Sequence, residues 1–181
     1  MSLAEKCTSA DVIFLPETAV NAAFSANHAA FSQLVEFAEK SGKTVVTGCF
    51  YKDETRGEKY NAVIAVTPEG AAESRYCKNR LVPFGEFVPF AKNSLAACTA
   101  PCEPIDVGGV RIACGVCVES IYGDIFRGQV RQGAQLIFIP TNDSWFGSSF
   151  ARRAHYVHAK MRAVENSRYT VRAGNCGISA I

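Results

Sequence analysis

The segment Val110-Arg111-Ile112-Ala113-Cys114-Gly115-Val116-Cys117-Val118-Glu119 decides how this chain folds and where its chemistry lies. Its first half is an apolar run typical of a buried strand, and the residues from Ile121 to Phe126 can begin a helix. Cys117 therefore lies at a turn from a strand into a helix. Helix N-terminal N–H groups favour a thiolate, so Cys117 is a candidate nucleophile. The alternative is an inert core cysteine, because free cysteine is among the most buried residue types.

The residue two positions after Cys117 is a carboxylate, Glu119. Side chains two apart on a strand share a face, whereas Cys114, three residues before Cys117, faces the other way. We therefore expect Glu119 to lie beside Cys117 and include it among the candidate catalytic residues.

Polar side chains also follow other predicted strands. The run Asp11–Leu15 delivers Glu17, and the run Gln135–Pro140 is followed by Thr141-Asn142-Asp143. A third strand from Glu73 leads to Lys78. Ends of buried strands are where α/β proteins place catalytic groups, so these residues are expected to meet. The alternative for Glu17 is that it caps the following helix.

The stretch Leu81–Phe90 combines proline and glycine with aromatic residues, which is unusual for a solvated loop. Lys78 and Glu86 lie beside or within it, and we expect both to point inward as an ion pair. The apolar side chains of this loop are predicted to form a path for lipid chains, and they include Phe84, Phe87 and Phe90. The alternative is a loop that only packs on its own domain.

The remaining patterns predict helices around a sheet. Amphipathic helices are expected over Ala22–Ser41, Asp124–Gly133 and Phe150–Arg168. The β-rich runs Thr44–Tyr51 and Tyr60–Val66 are expected to form a hairpin. The last helix carries polar residues three and four apart, and the ordinary interpretation of such a set is a polar or ion-paired helix face: His155, His158, Arg162 and Glu165.

Composition is that of an ordinary globular chain. The 181 residues are 48% hydrophobic and 20% charged with a formal net charge of +2, which is consistent with one domain and argues against disorder and a nucleic-acid partner. Neither a signal peptide nor a membrane span is evident, so the fragment is expected to be soluble.

The chain has eight cysteines, most of them inside apolar runs, so most are expected to be reduced core residues. Two pairs superficially have zinc-site spacing: Cys98 with Cys102, and Cys114 with Cys117. We predict no metal, because the second pair faces opposite ways along a strand. Cys98 and Cys102 form a small disulfide if the domain is extracytoplasmic.

Glu17, Lys78 and Cys117, each at a strand end and in this chain order, resemble the Glu-Lys-Cys triad of the nitrilase, or carbon-nitrogen hydrolase, superfamily. The resemblance implies that Glu17 is the general base, that Lys78 stabilises the oxyanion and that Cys117 carries the acyl group. It also implies that Glu86 is a second active-site glutamate and that Glu119 matches the glutamate after the cysteine. No cofactor is implied.

Within that superfamily the chain most resembles the catalytic domain of the bacterial apolipoprotein N-acyltransferases. The likeness rests on Phe14–Thr18, Lys78–Pro89, Thr141–Gly147 and His155–Asn166. It implies transfer of a fatty acyl group from phospholipid to the N-terminal amine of apolipoproteins, in the bacterial inner membrane with this domain on the periplasmic side. Asn142 and Trp145 are then expected to contact substrate, together with the loop phenylalanines.

The resemblance implies an α-β-β-α sandwich, incomplete in this chain. Residues 1–181 are expected to be a catalytic-domain fragment that lacks the family's membrane helices and terminal strands, which leaves unpaired sheet edges. The family has an aromatic residue where this chain has Val118. Two other functions stay open: a soluble amidase with the same triad, and a non-catalytic module that binds lipid or zinc.

Overall fold

A computed structural model describes residues 9–24, 29–88 and 94–181. The helices in these ranges are α1 (Ala29–Ser41), α2 (Gly123–Arg131) and α3 (Ser149–Asn166), with single 3-10 turns at Cys117–Ile121 and Asp143–Trp145. The strands are β1 (Val12–Phe14), β2 (Val20–Phe24), β3 (Thr44–Asp53), β4 (Glu58–Thr67), β5 (Gly70–Cys77), β6 (Ile105–Val107), β7 (Val110–Cys114), β8 (Leu136–Asn142) and β9 (Thr170–Asn175).

The strands form two sheets that follow each other along the chain. The first has the order β1-β3-β4-β5, with β2 also paired to β3, and the second has the order β6-β7-β8-β9. Strands β1 and β2 run parallel to β3, whereas β3, β4 and β5 form an antiparallel meander. In the second sheet β7, β8 and β9 are parallel. Parallel strands end at the same edge, which is how the ends of β7 and β8 come together.

The two sheets pack face to face. Their shared core joins Val46 and Val63 of the first sheet to Ile112 and Phe138 of the second. Helix α1 covers the outer face of the first sheet, and α2 and α3 cover the outer face of the second. These four layers confirm the α-β-β-α sandwich expected from the sequence.

The first helix is shorter than predicted. The pattern predicted a helix from Ala22, but Val20–Phe24 forms β2, and α1 begins at Ala29. Pairing with the buried strand β3 outweighs the weak helical preference of this short apolar stretch. Strand β6 was not predicted at all, because three residues are too few to show a periodicity.

Cys98 and Cys102 are both free thiols in the structure, so the conditional disulfide is not formed. Among the described residues, no three His, Cys, Asp or Glu side chains are grouped as metal ligands. No helix in the described ranges has both the length and the apolar character needed to cross a membrane.

Gly115 is required where β7 turns toward the cysteine. A Cβ atom at this position would lie 2.3 Å from Cζ of Phe126, the fully buried ring of α2. Gly115→Ala is expected to lower the free energy of unfolding by about 1–3 kcal/mol, because the packed ring has no room to move. Gly128→Ala on the same helix is the matched control, since nothing lies within 4 Å of its Cβ position. Chemical denaturation measures the free energy of unfolding of both variants. Equal stability of the two would contradict this account of the turn at Gly115.

Candidate active site

Four strand ends meet at one cavity of about 1040 Å³. Strand β1 leads to Glu17, β5 to Lys78, β7 to Cys117 and β8 to Asn142. The sequence predicted this convergence for each of the four. The cavity is also lined by Asn61, Glu86, Val118, Trp145, Phe146, Phe150, His155 and His158.

Glu17 is held rigidly at the bottom of the cavity and is only 6% exposed. Its Oε1 accepts a hydrogen bond from Nδ2 of Asn61 at 2.7 Å, and its Oε2 accepts one from the backbone N–H of Asn142 at 2.8 Å. Gly48 of β3 permits this placement, because a Cβ there would lie 2.7 Å from Cα of Glu17. The alternative role of Glu17 as a helix cap is wrong, since β2, not a helix, follows it.

Lys78 is fully buried and lies between two carboxylates. Its Nζ is 2.8 Å from Oε2 of Glu86 and 3.7 Å from Oε1 of Glu17. Burial on its own would lower the pKa of Lys78, but the charges of Glu17 and Glu86 outweigh it and raise that pKa. Lys78 therefore stays an ammonium, as an oxyanion-stabilising group must.

Glu86 contacts both Lys78 and the loop that follows it. Its Oε2 accepts from the backbone N–H of Val82, and its Oε1 accepts from Nδ2 of Asn61, at 2.8 and 2.9 Å. The inward-facing Lys78–Glu86 pair expected from the sequence is present. Because Glu86 is the nearer carboxylate to the ammonium, Glu17 is left available to exchange a proton.

Cys117 is the first residue of a 3-10 turn and has a φ of +54°, a left-handed conformation that a non-glycine residue rarely adopts. Burial and then the Glu17 carboxylate raise the pKa of its thiol to about 11, although Lys78, Thr141 and the N–H of Asn142 each lower it. Burial therefore outweighs the preference for a thiolate that a helix N-terminus gives. One 3-10 turn is too short to offset the desolvation of the sulfur, so the thiol needs a base.

The carboxylate of Glu17 is suited to be that base. Burial raises its pKa, while the Lys78 ammonium and the amide of Asn61 oppose the rise. Glu17 and Cys117 each affect the pKa of the other, which places the carboxylate beside the thiol. A carboxylate with a raised pKa accepts a proton more readily than an ordinary one.

Glu119 does not lie in the cavity, contrary to its predicted place beside the reacting sulfur. It is fully buried behind the turn, and both its oxygens are occupied. Oε1 accepts from the N–H groups of Asn79 and Arg80, and Oε2 accepts from Tyr76 Oη and the N–H of Val116, all at 2.8–2.9 Å. Glu119 thus ties the segment after Lys78 to the segment before Cys117, and it has no free oxygen for the reaction.

The aromatic residues of the cavity differ from those expected. Trp145 lines it as predicted, together with Phe146 and Phe150, and the Trp145 and Phe150 rings are largely exposed. Phe84 and Phe87 lie on the exposed side of their loop and do not line the cavity. The loop instead contributes to the lining through Val82, Gly85 and Leu95. Phe90 lies outside the described residues.

Sequence reasoning missed Asn61, whose single amide nitrogen contacts both Glu17 and Glu86. The sequence signal that could have identified Asn61 is a polar side chain within the β-rich run Tyr60–Val66, because a polar group inside a buried strand needs a hydrogen-bond partner. It also assigned no role to His155, which lies directly behind the cysteine: its Nε2 is 3.1 Å from the carbonyl oxygen of Cys117.

These groups form a set capable of acyl transfer. A thiol lies beside a carboxylate that can take its proton, and a buried ammonium near the thiol is a group of the kind that stabilises an oxyanion. The wide, largely apolar cavity above them can hold a substrate much larger than a simple amide.

Comparison with known proteins agrees with this chemistry. The Carbon-nitrogen hydrolase family matches residues 1–181. The apolipoprotein N-acyltransferase of Methylococcus capsulatus is 35% identical over 184 residues, which cover 94% of this chain and 36% of that protein. The chain thus spans about a third of the length of the curated relatives it matches.

Solved structures share the fold. Nit3 of Saccharomyces cerevisiae, a member of branch 10 of the nitrilase superfamily, superposes with a TM-score of 0.76 at 18% identity, over 96% of this chain and 65% of that chain. An amidase from Nesterenkonia sp. superposes with a TM-score of 0.70 at 22% identity, over 98% of this chain and 66% of that chain. At these identities the likeness is one of architecture.

Proposed function

Because the chain belongs to the carbon-nitrogen hydrolase family, we propose that it moves a fatty acyl group from a phospholipid, through a thioester on Cys117, to the α-amine of an apolipoprotein's lipid-modified N-terminal cysteine. The observation that carries the proposal is the buried set of Glu17, Lys78 and Cys117 at the bottom of a wide apolar cavity. The acyltransferase relatives, which match nearly the whole chain, support the choice of substrates.

In the first half-reaction Glu17 takes the proton of the Cys117 thiol. The sulfur attacks the ester carbonyl carbon of the phospholipid, and the resulting oxyanion is stabilised by the ammonium of Lys78. The carbon–oxygen bond of the ester then breaks. The departing lysophospholipid oxygen receives the proton from Glu17, and the acyl group remains on Cys117 as a thioester.

In the second half-reaction the acceptor's amine attacks the thioester carbonyl. Glu17 takes a proton from the amine nitrogen, the carbon–sulfur bond breaks, and the sulfur recovers that proton from Glu17. An amide forms on the acceptor, and the site returns to its starting state. Glu86 keeps its ion pair with Lys78 throughout, so the ammonium stays in place.

The shape of the site favours a lipid donor. Trp145 and Phe150 are largely exposed and also line the cavity, so they form an apolar rim. Burying each CH₂ of an acyl chain contributes about 0.8 kcal/mol, so even part of a chain against such a wall gives substantial affinity. Phe84 and Phe87 are exposed on the loop that contributes Val82 and Gly85 to the cavity, and they add apolar surface suited to contact with a bilayer. By the same proposal the whole protein acts in the bacterial inner membrane, with this domain on the periplasmic side.

A soluble amidase is the second candidate, and the amidases that share the fold favour it. The two functions differ in what removes the acyl group from Cys117, an amine or water. They therefore predict different products from one acyl-enzyme.

The proposal is tested by measuring whether the acyl group is transferred to a peptide amine or to water. The chain is incubated in mixed micelles with a phospholipid that carries a labelled acyl group and with a diacylglyceryl-cysteine peptide. The label is expected to appear on the α-amine of the peptide, as measured by mass spectrometry. The same peptide with an acetylated amine is the control and should remain unlabelled. Release of labelled fatty acid at one rate with or without the free amine would instead establish a hydrolase.

A further inference from the structure

Three buried polar side chains form a connected cluster behind the nucleophile: Asp143, His155 and Arg172. Nδ1 of His155 is 2.8 Å from Oδ1 of Asp143, and Nη2 of Arg172 donates to Oδ2 of the same carboxylate at 2.8 Å. None of these groups is needed for proton transfer or oxyanion stabilisation as described above. Burying three ionisable side chains is costly, which calls for a role that a nonpolar core would not fill.

The cluster reaches the site through the backbone of Cys117. Nε2 of His155 lies 3.1 Å from the Cys117 carbonyl oxygen, which can only accept a hydrogen bond. The Asp143 carboxylate on the other side of the ring is also an acceptor, and its 2.8 Å contact is shorter than the 3.3 Å between Nδ1 and Nη2 of Arg172. The contact with the Cys117 carbonyl therefore places a proton on Nε2, and the ring bridges Asp143 to that carbonyl.

The contact of His155 with the Cys117 carbonyl acts on a residue whose backbone is strained. The left-handed φ of +54° at Cys117 persists only if contacts around it hold the backbone in place. The carbonyl of Cys117 and the N–H of Val118 belong to one planar peptide and point in opposite directions. Fixing the carbonyl against His155 therefore directs the Val118 N–H away from the cluster, on the residue that lines the cavity.

We propose that His155 is a positioning residue: oriented by Asp143 and Arg172, it holds the Cys117–Val118 peptide in the conformation that aims the sulfur and the Val118 N–H at the substrate carbonyl. The inference rests on the proposed thioester chemistry of Cys117. His155 borders the cavity, but it does not accept the thiol proton, since both of its nitrogens are already engaged.

A burst experiment with p-nitrophenyl butyrate tests the proposal on the whole 181-residue chain. This activated ester acylates a competent cysteine without phospholipid or acceptor. The amplitude of the p-nitrophenolate burst counts folded sites, and the burst rate measures how well each site is arranged. A loss of fold lowers the amplitude, whereas a loss of positioning lowers the rate at each counted site.

For His155→Leu we expect the burst rate per site to fall about 10- to 100-fold with KM for the ester unchanged, because a small misplacement of reacting atoms has this effect. His155→Gln should recover most of the rate, since its amide N–H can still donate to the Cys117 carbonyl. The control Tyr156→Phe, next in sequence on α3 and outside the catalytic cavity, should behave as wild type.

A wild-type rate per counted site in His155→Leu would overturn the positioning role. If His155→Leu gives too few folded sites to measure, the burst rate of His155→Gln is compared with that of wild type instead. A His155→Gln rate as low as the rate of the Cys117→Ala chain would also overturn the positioning role. A wild-type chain that gives no burst would instead contradict the thioester chemistry, so the two failures are distinguishable.

Discussion

Replacing Lys78 by methionine should slow acylation of Cys117 by about 100- to 1,000-fold, the loss expected when one oxyanion-stabilising donor is removed. The same change leaves Glu86 without its 2.8 Å ion-pair partner next to a fully buried position. Breaking a buried pair by removing one member costs about 3–5 kcal/mol of stability. Stopped-flow acylation measures the first effect, and chemical denaturation measures the second.

A second variant separates the two effects. Lys78→Met combined with Glu86→Gln removes the nearer of the two carboxylates that lose their cation, so stability should be partly restored while acylation stays slow. Lys52→Met is the matched control, because its contact to Glu54 is exposed at the surface and contributes little. If the double variant regained the wild-type acylation rate, Lys78 would serve only to neutralise Glu86.

Glu17→Gln should slow acylation at pH 7 by about 100- to 10,000-fold, because glutamine cannot take the thiol proton. The variant removes the Glu17 charge, but burial, the larger cause of the raised thiol pKa, remains, so the thiolate is still the minor form at pH 7. The rate of this variant should therefore rise with pH, about tenfold per unit, until the thiol itself ionises.

The pH dependence of the wild-type acylation rate should differ in shape from that of Glu17→Gln. A general base works when it is deprotonated, so activity is lost as the pH falls through the pKa of Glu17, and burial raises that pKa above 4.5. The acid limb should thus lie at higher pH than for an ordinary carboxyl group, and it should be absent in Glu17→Gln. Glu39→Gln, an exposed residue on α1, is the control. A Glu17→Gln profile with the wild-type shape would exclude Glu17 as the base.

Several buried strands were accessible from the sequence because they are strongly patterned, whereas the α-β-β-α layering was implied by the family resemblance. The runs that lead to Glu17 and Cys117 are apolar, and the structure brings both residues together with Lys78. The start of α1 was misplaced since Val20–Phe24 suits a helix or a strand equally well. Only its pairing with β3 decides between them, and such long-range contacts leave no local signal.

The errors in the site have physical causes of the same kind. Glu119 was placed beside the sulfur by strand alternation, but the chain leaves the strand at Gly115, so the alternation no longer applies. A helix N-terminus alone favours a thiolate at Cys117, whereas burial and the Glu17 carboxylate raise the pKa of its thiol. His155 was interpreted as part of a polar or ion-paired helix face, and only the structure shows that it is buried against the Cys117 carbonyl.

The position of the acyl group tests the central claim most directly. The chain is incubated with phospholipid in the absence of an amine acceptor, digested, and analysed by mass spectrometry before and after treatment with neutral hydroxylamine. We predict a single acyl group on the peptide that contains Cys117, removed by hydroxylamine as a thioester is, and absent from Cys117→Ala. An acyl group found instead on the exposed Cys176, or one that persists in Cys117→Ala, would contradict the account.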